Sequence, residues 1–320
     1  MKFNFLFAYI VFNFQPILAM ELNTNESSGQ KVNQHWDAKS YAQNNRFQVS
    51  IGIELVRSLM NVSGKSIIDV GCGTGEVTAE FYALGSSKVI GIDQDKNMIK
   101  YARQHFPQVN FLNVGAQDFQ NSLVESADFV TTFFMLHWLD SEQQEAALKN
   151  FHSYLKPGGE LLIFASTSQS DAAVRAIQKS KVPHKAFWNL IGASPYLAWH
   201  GVPAFWRFFQ LSEQEKSQLV GRYFVNTEAI VEQLQKLGFV DIQIELKTNN
   251  LVLSIDELIE FQLPLVESRG AMRLIENPDA RKIIATNYIK YFIFPELSFS
   301  SSKDKRIYSL PRIFIRARKL

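Results

Sequence analysis

Between Tyr41 and Met60 the apolar residues Phe47, Ile51, Leu55 and Leu59 recur at every fourth position, which predicts one face of an amphipathic helix. Short apolar runs then alternate with helical stretches. Strands are expected at 66–70, 88–93, 109–114, 128–134 and 160–165, and helices after Gly75, at 96–105 and at 141–155. That order predicts an α/β, Rossmann-like fold: a mostly parallel sheet with helices on both faces. In "LKPGGELLIF", Pro157 and the two glycines are expected to end a helix before the next strand begins. The pattern changes after Ser168. Residues 170–225 have little strand character and are dense in Phe187, Trp188, Tyr196, Trp199, Phe205, Trp206, Phe208 and Phe209, as expected of a helical, aromatic-rich insertion over the active site. Beyond it, "GFVDIQIEL" reads as a strand, "SIDELIEFQL" as a capped helix and "RIFIRARKL" as a closing strand.

These patterns divide the chain into a leader (1–19), a flexible polar connector (20–35), a core (36–168), the insertion (169–225), and C-terminal strands and helices that complete the sheet (226–320). The leader "MKFNFLFAYIVFNF" has one early lysine and about a dozen mostly apolar residues, short of the ~20 that span a bilayer. It reads either as a signal peptide or as a segment upstream of a true start at Met20, which leaves export and cytoplasmic residence both open. No stable membrane span is expected.

With 320 residues, 46% of them hydrophobic, the chain can bury a full core. A formal charge of +2 gives no reason to expect nucleic acid as a partner. The single cysteine, Cys72, excludes an internal disulfide and a cysteine metal cluster, and no metal is expected.

The chemistry concentrates in "IIDVGCGTGE", where an apolar run ends in Asp69 and Gly71, Gly73 and Gly75 follow. Glycines there allow positive φ and close approach of a ligand to the backbone. A phosphate loop would need a lysine and a hydroxyl residue after the last glycine, and Glu76 stands there instead. The dinucleotide fingerprint spaces its glycines differently, and an acid at Glu76 would repel a pyrophosphate at the helix start. "DVGCGTG" resembles the first motif of the class I S-adenosylmethionine-dependent methyltransferases. The resemblance implies S-adenosylmethionine as cofactor, its methionyl part against Gly71, Gly73 and Gly75, with Asp69 orienting the amino-acid end. In "VIGIDQD" it implies that Asp93 accepts hydrogen bonds from the ribose hydroxyls. In "NVGAQDF" Gly115 replaces the usual acid, so Ala116 and Gln117 are expected to meet the adenine through their backbone, with Asp118 as a substitute acid.

The strand "ADFVTTFFMLHWLD" ends in His137 and Trp138, beyond the carboxyl end where ligands of open α/β sheets bind. "LHW" together with "YAQNNRFQ" looks like the juvenile hormone acid and trans-aconitate carboxyl methyltransferases, through Tyr41, Asn45 and Gln48. That likeness implies a small-molecule acid as substrate, its carboxylate held by Gln48 and the Trp138 indole. A phenol or alcohol acceptor would instead call on His137 as base. Other acceptors remain open: a malonyl ester on an acidic carrier protein facing Lys179, Lys181, His184 and Lys185, or a quinone or amine. So does a non-catalytic, exported protein that binds the cofactor.

Overall fold

The computed structural model describes residues 38–59, 61–166, 194–212, 225–267, 270–302 and 304–320. The expected leader, connector and most of the insertion lie outside the described residues. Two helices come first, α1 (Ala38–Asn44) and α2 (Arg46–Leu59). The single helix expected over this stretch is interrupted at Asn45. That residue is 5% exposed, and its side-chain amide donates to the Thr74 hydroxyl at 3.1 Å.

The alternating core follows the pattern of the chain: β1 (Ser66–Val70), α3 (Glu76–Ala83), β2 (Lys88–Asp93), α4 (Lys96–His105), β3 (Asn110–Asn113), β4 (Ala127–Phe133), α5 (Ser141–Tyr154) and β5 (Leu155–Ser166). Then come α6 (Pro195–Gln210), α7 (Thr227–Lys236), β6 (Phe239–Ser254), α8 (Ile255–Glu267), α9 (Pro278–Tyr288), the short β7 (Ser298–Phe299) and β8 (Lys305–Lys319). Eight strands form one sheet in the order β3-β2-β1-β4-β5-β8-β6, with β7 beside β8. The strands β1 to β5 pair in parallel, and β8 runs antiparallel to both of its long neighbours. A strand inserted between β5 and β6 in this way needs a long return connection, and residues 255–297 supply it.

Strand alternation sends side chains to two cores. Ile67, Phe133, Phe164 and Phe314 face a cluster shared with α2, α3, α4, α8 and α9. Ile68, Val130, Ile163 and Ile315 face one shared with α5 and α7. Every residue of β1 is buried, as a central strand covered on both faces requires. Phe81, Phe151 and Phe164 are fully buried, and each such ring contributes roughly 1.5–3 kcal/mol relative to exposure. Helix starts are fixed by side chains: Asp95 accepts from the backbone N–H of Asn97 and Met98 at α4, and Asp140 with Gln143 forms a capping box at α5.

Three elements differ from the pattern reading. β5 begins at Leu155, because Leu155 pairs with Ala127 across a register shift before regular pairing resumes at Glu160. β6 and β8 are much longer than their apolar runs, since their outer stretches form a hairpin-like ribbon whose side chains are partly solvent-facing. Helices also fill 270–296, which carried no expected element beyond α8. Here α6 packs on the 270–274 turn and on α9, so the described part of the insertion and the β6–β8 connection form one helical layer. The ring of Phe47 on α2 meets Phe261 on α8 edge-on at 5.5 Å, joining that layer to the first helices.

Candidate active site

The loop after β1 is tied down from beneath. The backbone N–H groups of Gly71 and Cys72 both donate to the Ile92 carbonyl, at 2.8 and 3.0 Å, so the loop hangs on the end of β2. Gly71 (φ 76°) lies against Met135, and a Cβ there would come within 2.3 Å of the Met135 side chain. Gly75 (φ 92°) opens α3 with its Cα against Phe111 and Ala102. Gly73 differs from both, because among the described residues a Cβ there would meet only Tyr41, at 3.9 Å. The structure therefore gives Gly71 and Gly75 packing duties and leaves Gly73 as the open face of the loop, below α1.

Asp93 ends β2 with one carboxylate oxygen accepting from the Gly73 N–H at 3.0 Å and the other from the Asp95 N–H at 2.8 Å. Burial pushes its carboxyl up to about 6, against the pull of those two donors. Asp69 is placed differently from a group meant to touch a ligand. It is 2% exposed, and its two oxygens accept from the Thr78 hydroxyl at 2.6 Å and the Thr131 hydroxyl at 3.0 Å. Burial raises its carboxyl to about 6 as well, with the threonines opposing. Above the loop, Thr74 accepts from Asn45 and donates to Glu76 at 2.6 Å, which fixes the break between α1 and α2 over the glycines. Neither Thr78, Thr131 nor the Asn45–Thr74 link carried a local sequence signal.

The corner beyond β3 holds Ala116, buried, with its carbonyl accepting from Asn150 on α5 at 2.9 Å. The Gln117 side-chain oxygen is buried without a hydrogen-bond partner among the described residues. A Cβ on Gly115 would sit 2.6 Å from both an Asp118 carboxylate oxygen and the Gln117 amide nitrogen. An Asp118 carboxylate oxygen thus lies where a side chain on residue 115 would begin, next to the Gln117 side chain whose oxygen is an unused acceptor.

At the end of β4, Phe134 has φ 59°, a left-handed conformation that costs a non-glycine residue of order 1–3 kcal/mol. It is held by its N–H, which donates to the Phe164 carbonyl at 2.8 Å, and by edge-on contact with the Phe164 ring. The short turn Leu136–Trp138 follows. The Trp138 indole N–H, expected to reach the acceptor, donates to the Phe134 carbonyl at 3.1 Å. Its geometry corrects the expectation: the N–H braces the strained turn. His137 is 1% exposed, with Nδ1 accepting from the Ser166 N–H at the end of β5 at 3.4 Å. Gln48 lies half-buried in the first turn of α2, close in sequence to Asn45 above the loop.

Asp69, Gly71, Gly73, Gly75 and Asp93 thus gather at the carboxyl ends of β1 and β2, Ala116 and Gln117 beyond β3, and His137 and Trp138 beyond β4. Among the described residues no group of His, Cys, Asp or Glu is placed to hold a metal ion, and no helix is long and apolar enough to cross a membrane.

Residues 67–159 match the family described as a methyltransferase domain. A putative methyltransferase of invertebrate iridescent virus 6 is 31% identical over 163 residues, 50% of this chain and 60% of that protein. Juvenile hormone acid O-methyltransferase of Drosophila melanogaster is 30% identical over 107 residues, 31% of this chain and 35% of that protein. The chain thus spans no more than about three-fifths of the curated relatives it matches. Among solved structures, phosphoethanolamine N-methyltransferase 2 of Haemonchus contortus aligns over 88% of this chain and 57% of that one, at 16% identity and a TM-score of 0.50, a likeness of fold.

Proposed function

We propose that this chain, whose residues 67–159 form a methyltransferase domain of the class I S-adenosylmethionine-dependent kind, methylates a carboxylate oxygen of a small or medium-sized acid with an apolar body. One observation carries the reading: the burial of His137. A phenol or alcohol must lose a proton as it attacks, and the best-placed base is an imidazole that is 1% exposed and already accepts a backbone N–H through Nδ1. A carboxylate is ionised near neutral pH and needs no base. The name of the juvenile hormone acid O-methyltransferase, an acid-methylating relative, supports the same choice.

The residues fit the cofactor. The open face at Gly73 allows close backbone approach, Asp93 offers a carboxylate at the place for ribose hydroxyls, and the orphaned Gln117 oxygen with Asp118 suits an adenine amino group. S-adenosylmethionine bound there supplies a methyl group on a positively charged sulfur. Asp69 acts through Thr78 and Thr131, whose hydroxyls lock the floor of the loop to α3 and β4. Gln48, as a neutral donor, would orient the acceptor carboxylate without quenching its lone pairs. The Trp138 ring and the layer of α6, α8 and α9 would exclude water, so that alignment and desolvation account for most of the rate.

The test uses purified protein, methyl-labelled cofactor and a panel of fatty, aromatic and polycarboxylic acids, phenols, quinols, amines and malonyl-carrier protein. Mild alkali is then applied to the product. Label released as methanol identifies an ester and is the expected outcome. Label that survives alkali refutes the carboxylate reading and moves the acceptor to a hydroxyl, nitrogen or carbon.

A further inference from the structure

At the edge of the sheet away from β3 lies β6, and among the described residues no strand pairs with its outer side. Its middle is open to water on both faces. Gln243, Ile244, Glu245 and Leu246 are consecutive exposed residues, with Ile244 at 44% and Leu246 at 63%. Ile244 and Leu246 stand opposite Ile315 and Ile313 of β8, which belong to the core shared with α5 and α7. Ile242 still packs against that core, so the apolar row runs on past the helices that cover its beginning.

Glu245 and Lys247 lie on the other face, opposite Phe314 and Arg312 of β8. They pair with each other at 3.2 Å, and the Lys247 ammonium is 5.4 Å from the centre of the Phe314 ring. The remaining charges of that face, between 160–166 of β5 and 312–318 of β8, are Arg316, paired with Glu160 at 2.6 Å, and Arg318, paired with Asp241 at 2.7 Å. Exposed edge strands pair with other strands unless charge or a bulge prevents it. The bulge of β6 lies between Val240 and Gln243, where Asp241 has φ 52°, and the ladder is regular from Gln243 onward.

The sequence of β6 says what suits this edge. Two copies related by a two-fold axis perpendicular to the sheet run antiparallel, and each side chain keeps its face, so the axis must pass at a residue and not between two. Centred on Glu245, the pairing opposes that acid to its own copy; centred on Lys247, it opposes cation to cation, and like charges so placed are destabilising. Centred on Ile244, it runs into the bulge. Centred on Thr248, it sets Glu245 against Leu251 and Leu246 against Asn250. Centred on Leu246, it sets Glu245 of each copy against Lys247 of the other, Leu246 against Leu246, Ile244 against Thr248 and Gln243 against Asn249.

We propose that residues 243–249 of β6 join two copies of this chain, antiparallel about an axis at Leu246, into one continuous sheet. A second copy is the occupant because the complementary charges are those of the strand itself. Backbone hydrogen bonds and the apolar row supply the affinity, and the alternating charges fix the register, since exposed ion pairs contribute more to specificity than to strength. The glycine loop lies at the ends of the inner strands β1 and β2, so pairing at β6 leaves cofactor affinity unchanged.

Sedimentation of the full chain over about 1–100 μM should show a mass that rises toward twice that of the monomer, the range suited to a small interface. Glu245→Lys opposes two cations and Lys247→Glu two acids, so each variant alone should sediment as a monomer. Melting temperature and S-adenosylhomocysteine affinity should stay close to wild type. Mixed in equal amounts, the two variants oppose lysine to glutamate at both places and should dimerise again, a recovery that misfolding cannot produce. Independently of the charge variants, Leu246→Cys should form a reducible disulfide across the axis under mild oxidation, and the exposed Val252→Cys should not, Cys72 being buried. A wild type that stays monomeric at the highest concentration overturns the inference. So do single variants that dimerise like the wild type, a mixture that stays monomeric, or cross-linking at position 246 no greater than at 252.

Discussion

Replacing Asp93 separates the ligand contacts of the glycine loop from its internal bracing. In the protein without ligand, one carboxylate oxygen holds the Gly73 N–H at 3.0 Å and the other holds the Asp95 N–H at 2.8 Å, so each oxygen keeps lone pairs directed away from the backbone. Two ribose hydroxyls donating to those positions form charge-assisted bonds of about 1.5–3 kcal/mol each. Part of that gain is offset because the carboxylate must stay ionised while buried. Asp93→Ala should therefore weaken S-adenosylhomocysteine binding by about ten- to a hundredfold, since 1.4 kcal/mol is a factor of about ten. The variant also frees the Gly73 N–H, so part of the loss could come from a loosened loop. Asp93→Asn distinguishes the two: its amide oxygen can still brace one N–H, but it has lost the charge and one acceptor. Calorimetric titration with S-adenosylhomocysteine reads the affinity, and a melt without ligand reads the loop. Weakened binding in both variants, with Asp93→Asn melting close to wild type, is expected. Affinity within threefold of wild type in Asp93→Ala would remove Asp93 from the site and refute the reasoning.

Further outcomes follow from the same geometry. As the pH falls from about 7 through about 6, Asp93 takes up a proton and S-adenosylhomocysteine affinity should drop, a dependence that Asp93→Asn should flatten; a pH series of titrations checks this. The raised carboxyls of Asp69 and Asp93 mean that the folded state without ligand holds more protons than the unfolded chain between about 4 and 6, so their contribution to stability grows as the pH falls through that window. Asp128 acts in the opposite sense: although burial pushes its carboxyl up, the Ser66 hydroxyl and N–H and the Lys156 ammonium outweigh it and hold it near 2. Its contribution is present above the unfolded value near 4 and is lost as the pH falls toward 2, so Asp128→Asn should lower the neutral-pH melting point and leave cofactor affinity alone. Gly71→Ala should destabilise far more than Gly85→Ala. Both positions have positive φ, but a Cβ at Gly85 meets nothing nearer than 3.5 Å, whereas one at Gly71 collides with Met135. Equal melting points for those two variants would contradict the packing described for the loop.

The parts of the fold legible in the chain are those where burial on both faces leaves little choice of residue. β1 and β2 span the same residues the pattern predicts, because a central parallel strand is buried on both faces and its short apolar run is bounded by polar residues and the loop. The ribbon of β6 and β8 reads poorly: in "QIELKTNN" one side faces water, and the cross-strand pairing that makes it a strand involves partners some sixty to eighty residues away. The helices at 270–296 fail for the reverse reason, since their apolar faces meet other helices and no single period stands out.

The candidate site divides along the same line. The glycines are legible because positive φ leaves the backbone few alternatives, and Asp93 because it ends a strand at a fixed distance from them. What each polar group does next depends on distant partners. The Trp138 indole is visibly a donor, yet only the fold shows that a strained Phe134, four residues earlier, presents the carbonyl that receives it. Asp69 is visibly an acid at a strand end, yet Thr131 lies 62 residues away and turns it from a ligand-facing group into a strut. Arg312 lies in a closing strand whose sequence suggests only a basic edge, and its meeting with Ser166 comes from the antiparallel insertion of β8 beside β5. In this chain sequence spacing locates the place where a ligand must pass close to the backbone, whereas charge and orientation there are set by strand order.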